Sequence, residues 1–194
     1  MEKKLLLLHI CCAPCGAGCM EHPFLEQNHI SIARLFFSNS NLNSKEEFDR
    51  RLLYVQQLGK IYDIPVEVDP YDHKLWHHAI LGYESCPEGG ARCPRCFNYS
   101  LSRTAARAQE LGMYFATTLT VSPRKSSKVI FETASVYDNF IPLDFKKQNG
   151  YLNGTRRARE LDFYRQNYCG CEFSQLTQES SEITPPPSNT PSSL

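Results

Sequence analysis

The chain has 194 residues, 41% of them hydrophobic and 22% charged, which is enough for one well-filled core in an ordinary globular protein. Twenty-one basic residues balance twenty-one acidic ones, so the net field gives no general attraction to nucleic acid; any RNA contact has to come from a local basic face. The apolar run behind Lys3 and Lys4 is four leucines long and His9 interrupts it, and eighteen consecutive apolar residues occur nowhere, which argues against a signal peptide and excludes a membrane-spanning helix.

Strand-like and helix-like segments alternate along the chain. "KKLLLLHI" reads as a buried strand, followed by a helix expected from about Cys15–Gly16 to Asn28. "ISIARLFFS" reads as a second strand. "SKEEFDRRLLYVQQLGKIYDI" reads as a helix, with Ser44 and Glu47 at capping-box spacing and Phe48, Leu52, Val55 and Leu58 on one apolar stripe. "IPVEVDP" is expected to be a third strand, ended by Pro70, and a short helix is expected near Tyr71–Ala79. After the loop "GYESCPEGGARC" come a helix from about Cys96 to Leu111, the strand "MYFATTLTV", a helical "SSKVIFETASVY", a last strand "FIPLDF" and a last helix "LNGTRRARELDFY". The alternation predicts an α/β fold with one open, mostly parallel sheet and flanking helices. Ligands of such sheets bind beyond the strand carboxyl ends, where "CCAPC", "SNSN" and "VSPRK" all fall. From about residue 175 onward the composition is Pro/Ser/Thr-rich with almost nothing to bury, so residues 1–174 are expected to form the folded domain and 175–194 a disordered tail.

The nine cysteines carry the chemistry. In a cytoplasmic protein, which is the expected compartment, they are poor candidates for structural disulfides, and an odd number cannot all pair internally. Seven fall into three groups: Cys11, Cys12 and Cys15; Cys93 and Cys96 in "CPRC"; Cys169 and Cys171 in "YCGC". A CxxC beside proline and a CxC around glycine let two sulfurs converge on one ion, so three such groups point to metal. Two CxxC-type knuckles suit structural zinc, four cysteines also hold a cubane iron–sulfur cluster, and seven exceed one four-ligand site. Disulfide exchange at Cys12–Cys15, a CxxC between a strand and a helix N-terminus, is the other reading the residues allow.

Taken together, "LLLHICCAPC", "FFSNSNLNSKEEFDRR", "GGARCPRCF", "VSPRKSSK", "PLDFKKQNGY" and "YRQNYCGCEFS" resemble the cobalamin-independent epoxyqueuosine reductase family QueH, in the family's order and over roughly residues 4–174. The resemblance implies a Rossmann-like sheet related to adenine-nucleotide-binding folds. It also implies reduction of epoxyqueuosine to queuosine at the tRNA wobble position, the last step of that modification, with a [4Fe–4S] cluster beside a second, singly bound iron and an external electron donor. Carried onto this chain, it suggests Cys11, Cys12, Cys93 and Cys96 as cluster ligands. Cys15, Cys169 and Cys171 are then candidate ligands of the second iron and candidate catalytic residues. Cys19 and Cys86 lie outside the pattern, and Ser40 and Ser44 replace prolines common in the family. A zinc-stabilised RNA-binding module without redox activity is the competing reading.

Turning an epoxide into an alkene takes two electrons and two protons and releases water, which gives a Lewis-acidic second metal a use beside a one-electron cluster. Candidate contacts to the tRNA are Asn39, Asn41, Lys125, Arg156, Arg157 and Arg165, with Tyr151, Tyr164 or Tyr168 available to stack on splayed anticodon bases. His9 beside the cysteines is expected to be a satisfied core histidine, and His73, His77 and His78 to lie on a surface helix.

Overall fold

The computed structural model describes residues 3–174; the expected tail at 175–194 lies outside the described residues. Four strands form one all-parallel sheet: β1 (Lys4–His9), β2 (Ile30–Phe37), β3 (Val66–Val68) and β4 (Tyr114–Thr117), in the order β3-β2-β1-β4. The helices are α1 (Ala13–Ala17), α2 (Pro23–Gln27), α3 (Lys45–Ile61), α4 (His73–Ala79), α5 (Arg92–Glu110), α6 (Ser127–Ala134) and α7 (Gly150–Glu160).

β1 is central, and its leucine run is explained by having both faces covered. Leu6 and Leu8 bury into one layer with Phe37, Val55 and Leu58, while Leu7 buries into the opposite layer with Leu101, Ala108 and Phe115. The strand order reverses between β1 and β4: β2 and β3 extend the sheet to one side of β1, and β4 adds on the other. The carboxyl ends of β1 and β4 therefore frame the topological switch point, where open α/β sheets bind ligands.

Three expected elements differ. The helix expected over 15–28 is two helices: α1 ends at its Gly18 cap, whose N–H bonds the Cys15 carbonyl at 3.2 Å, and Pro23 opens α2, with His22 Nδ1 accepting from the Phe24 N–H at 3.3 Å. The last expected strand, "FIPLDF", makes one isolated bridge, Phe115 to Phe140. α5 starts four residues earlier than expected, which puts both cysteines of "CPRC" on its first turns. On α3 the Ser44 hydroxyl accepts from the Glu47 N–H (3.1 Å) as its spacing predicts, but the Glu47 carboxylate turns inward to Arg51.

α7 lies against α1 at unusually short range. A Cβ on Gly154 would stand 2.8 Å from the Pro14 carbonyl oxygen, so glycine is what lets the two helices approach. That contact brings Tyr151 and Thr155 to the rim of the space beyond β1.

Candidate metal centre

Beyond His9 the chain turns through Ile10 and Cys11 into α1, with Cys12 at its N-cap position. Thr118, just past β4, fixes this turn: its Oγ1 accepts from the Cys11 backbone N–H (3.1 Å) and its hydroxyl lies 3.3 Å from the Cys11 sulfur. The sulfurs of Cys11, Cys12 and Cys15 lie within 4.8 Å of one another, and Cys11 and Cys12 are 3.8 Å apart. The contacts divide the thiols unequally. Cys12 is held well below the ordinary thiol range, first by Cys11 and then by Cys15, with the Gln166 amide and the Arg51 charge adding to the effect. Cys11 is pushed up to about 12, chiefly by its contact with Cys12, and Cys15 is pushed up by both neighbours.

The other two groups face each other. Cys93 and Cys96 sit on the first turns of α5, where the helix N-terminus favours thiolate. The Gly89 N–H donates to Cys93 Sγ (3.2 Å) and the Trp76 indole N–H to Cys96 Sγ (3.3 Å). Burial raises the Cys93, Cys96 and Cys171 thiols, and the charges of Cys169 and Cys171 act on both α5 cysteines. Cys169 and Cys171 flank Gly170, whose φ of +128° is a conformation that side chains rarely adopt; a Cβ there would meet Leu42 Cδ2 at 2.4 Å and the Arg51 guanidinium at 3.3 Å. All nine cysteines are free.

A cavity of about 340 Å³ opens between these groups, lined by Cys11, Cys12, Cys15, Cys96 and Cys169. Four of the six expected substrate contacts, Asn39, Asn41, Lys125 and Arg165, line it as well. Asn39 is anchored by its amide N–H to the Ile10 carbonyl (2.9 Å). Burial works against the charge of Lys125, but its electrostatic interaction with the neighbouring cysteine sulfurs outweighs it and raises its pKa, so the ammonium persists. Arg156 and Arg157 do not line the cavity; on α7 they face Glu160, at 3.9 Å and 3.2 Å.

His9, His73 and Cys19 are held by hydrogen bonds within the fold. His9 Nε2 faces the Ser38 carbonyl (3.1 Å), which can only accept, so Nε2 carries the proton and Nδ1 accepts from Thr117 Oγ1 (2.8 Å). Burial lowers its pKa to about 4, and it stays neutral at pH 7. His73 is held by the Ser40 carbonyl (2.9 Å) and Glu172 (3.3 Å). Cys19 is buried with its thiol toward the Cys15 carbonyl (3.4 Å), and the Cys86 carbonyl accepts from Arg92.

The family model described as "Epoxyqueuosine reductase QueH" matches residues 6–177. The chain belongs to the QueH family. Among proteins named epoxyqueuosine reductase QueH, it is 38% identical to the one from Streptococcus pyogenes serotype M1, across 89% of this chain and 71% of that one. It is 34% identical to the QueH of Thermotoga maritima (88% and 90%) and 35% identical to that of Staphylococcus epidermidis (91% and 79%). Among the described residues of this QueH chain, no helix is long and apolar enough to cross a membrane.

Four residues that touch the site were not singled out from the sequence: Thr118 and Trp76 lie outside every stretch that carries the resemblance, and Arg51 and Gln166 lie inside two of them. Arg51 had a visible signal: with Glu47 it interrupts the apolar face of α3, and both are buried there beside Phe48, Val55 and Leu58. A charged pair at (i, i+4) on a core face marks a built polar feature.

Proposed function

We propose that this chain reduces epoxyqueuosine to queuosine in tRNA, in the cytoplasm, using a [4Fe–4S] cluster, a second iron and an external electron donor. The observation that carries the reading is the convergence of five free cysteines from all three groups on one cavity at the sheet's switch point, in a chain of the QueH family.

The residues fit the two groups. A tetrahedral metal with bonds of about 2.3 Å to sulfur spaces its ligands about 3.8 Å apart. The triad of Cys11, Cys12 and Cys15 has that scale and suits the second iron. A cubane carries its thiolates on four corners, farther apart than the ligands of one ion, which suits Cys93 and Cys96 facing Cys169 and Cys171. This division moves Cys15 into the company of Cys11 and Cys12 and groups Cys169 and Cys171 with the α5 pair. Two buried polar atoms of cavity-lining residues, Arg51 Nη2 and Gln166 Oε1, have no hydrogen-bond partner among the described residues, as expected where a bound group completes the site.

When bound, the iron centres supply Lewis acidity toward the epoxide oxygen and pass on the two electrons the reaction consumes. The chain's own groups do the rest. Lys125 holds a proton at Nζ on the cavity wall and can supply it to an oxygen leaving within the cavity. His9 contributes no proton, since both ring nitrogens are committed to Thr117 and Ser38. Arg51 brings a buried positive charge beside Cys12, and Asn39 and Asn41 line the space that the substrate ring enters. At the rim, Arg124 and Arg165 can neutralise phosphates, and Tyr151 and Tyr168 offer faces to unstacked bases.

The test is anaerobic purification with iron and sulfide analysis, then assay on epoxyqueuosine-containing tRNA. Loss of one oxygen from the modified nucleoside, read by mass spectrometry, is the expected result. A colourless, zinc-only protein that binds RNA without turnover would overturn the proposal.

A further inference from the structure

We propose that Trp76, the only tryptophan in the chain, is a positioning residue for the cluster: its indole N–H binds the Cys96 sulfur and sets how readily the centre accepts an electron. The inference rests on the cluster reading above and extends it to a residue outside every cysteine motif.

Trp76 is fully buried on α4 and packs in one cluster with Ile80, Tyr99 and Cys171. An indole N–H can only donate, and a buried one needs an acceptor. Here the acceptor is Cys96 Sγ at 3.3 Å. The ring cannot swing away, because His73 stacks on it with centroids 5.0 Å apart and is itself pinned by Ser40 and Glu172. A neutral thiol is a weak acceptor, whereas a metal-bound thiolate is negative and receives a charge-assisted bond. Adding an electron to the centre makes its sulfurs more negative, so the N–H bond strengthens on reduction and favours the reduced form. Trp76 is also associated with both halves of the proposed ligand set, donating to Cys96 and sharing a buried cluster with Cys171. Its indole is therefore placed to hold α5 and the C-terminal Cys-Gly-Cys loop in mutual register.

Trp76→Phe keeps an aromatic ring in the packed space and removes the donor. In anaerobically reconstituted protein it should retain the iron and sulfide content of the wild type. In an EPR-monitored redox titration its midpoint should fall, so that the reduced-to-oxidised ratio at a fixed potential drops about tenfold, equivalent to about 59 mV for a one-electron couple. The wild-type chain gives a second readout independent of the variant. With a single tryptophan, its selectively excited emission reports on this site alone. Emission should be quenched in proportion to iron and sulfide bound, and far less by zinc, which lacks the absorption that accepts the excitation energy. A cluster-replete Trp76→Phe protein with an unchanged midpoint, or wild-type emission indifferent to cluster assembly, overturns this inference and leaves the reductase reading standing. A wild-type chain that takes up no iron and sulfide overturns both.

Discussion

Arg51 donates through Nη1 to the Cys169 carbonyl at 3.3 Å while its Nε donates to Glu47 Oε1 at 2.7 Å, so one buried guanidinium ties α3 to the Cys-Gly-Cys loop. Its side chain is 2% exposed, and the Tyr164 hydroxyl donates to the same carboxylate (3.2 Å to Oε2). Removing one partner of such a pair strands the other charge away from water. Arg51→Met should therefore destabilise the fold by about 3–5 kcal/mol. The Glu47→Gln/Arg51→Met double variant should recover a large part of that loss. Denaturant melts of the wild type, Arg51→Met and the double variant check this; equal losses in the single and double variants would show that the pair is not the source.

The proposed division of the sulfurs predicts different phenotypes for two single-thiol changes. Cys15→Ala should lose the iron unmatched by sulfide while keeping the cluster's visible absorption. Cys169→Ala should lose iron and sulfide together. Activity should vanish in both, so metal analysis and spectra are the measurements that discriminate. If Cys15→Ala lost the cluster and Cys169→Ala kept it, the ligand sets would have to be exchanged.

His9 makes stability depend on acid. Burial lowers its pKa to about 4 in the fold, against about 6.5 in the unfolded chain. Between those values the unfolded chain binds the proton and the folded one does not, so this group's contribution is full above about pH 6.5 and is lost as pH falls toward 4. From pH 7 to pH 5 the loss should be about 2 kcal/mol. Denaturant midpoints for wild type and His9→Gln at both pH values test it: the wild type should lose more than the variant. Parallel losses would assign the acid sensitivity to other groups.

Much of the fold was legible because hydrophobic pattern and turn residues agreed. The leucine run of β1 is apolar on consecutive positions because both faces are covered, and the α3 stripe repeats at helical spacing around its Ser44 cap. "FIPLDF" misled because its apolar residues pack on the core while its backbone makes only one bridge to the sheet. The three cysteine groups were visible in the sequence as candidate metal ligands, but the closeness of Cys11, Cys12 and Cys15 to one another was not. Whether Cys15 sits with Cys12 or with Cys169 depends on the tight turn from β1 into α1, a three-dimensional closeness that local pattern does not encode. Trp76 and Thr118 were hidden for the same reason: each reaches a cysteine from another element, 20 and 107 residues away in sequence.

Charge around the cavity rim gives the last prediction. Arg124 and Arg165 line the opening, whereas Arg156 and Arg157 stand on α7 with Glu160 beside them. Exposed pairs of that kind contribute little, and the carboxylate offsets the attraction either arginine has for a phosphate. Arg124→Glu or Arg165→Glu should weaken binding of an anticodon stem-loop about tenfold or more. Each should also flatten the salt dependence by about 0.7 in log–log slope for every single-strand phosphate that is no longer neutralised. Charge reversal at Arg156 and Arg157 should weaken binding less and leave the slope nearer the wild-type value. Fluorescence anisotropy of a labelled stem-loop across a salt series measures both quantities. A larger slope change from the α7 pair than from Arg124 and Arg165 would move the RNA path off the rim and along that helix.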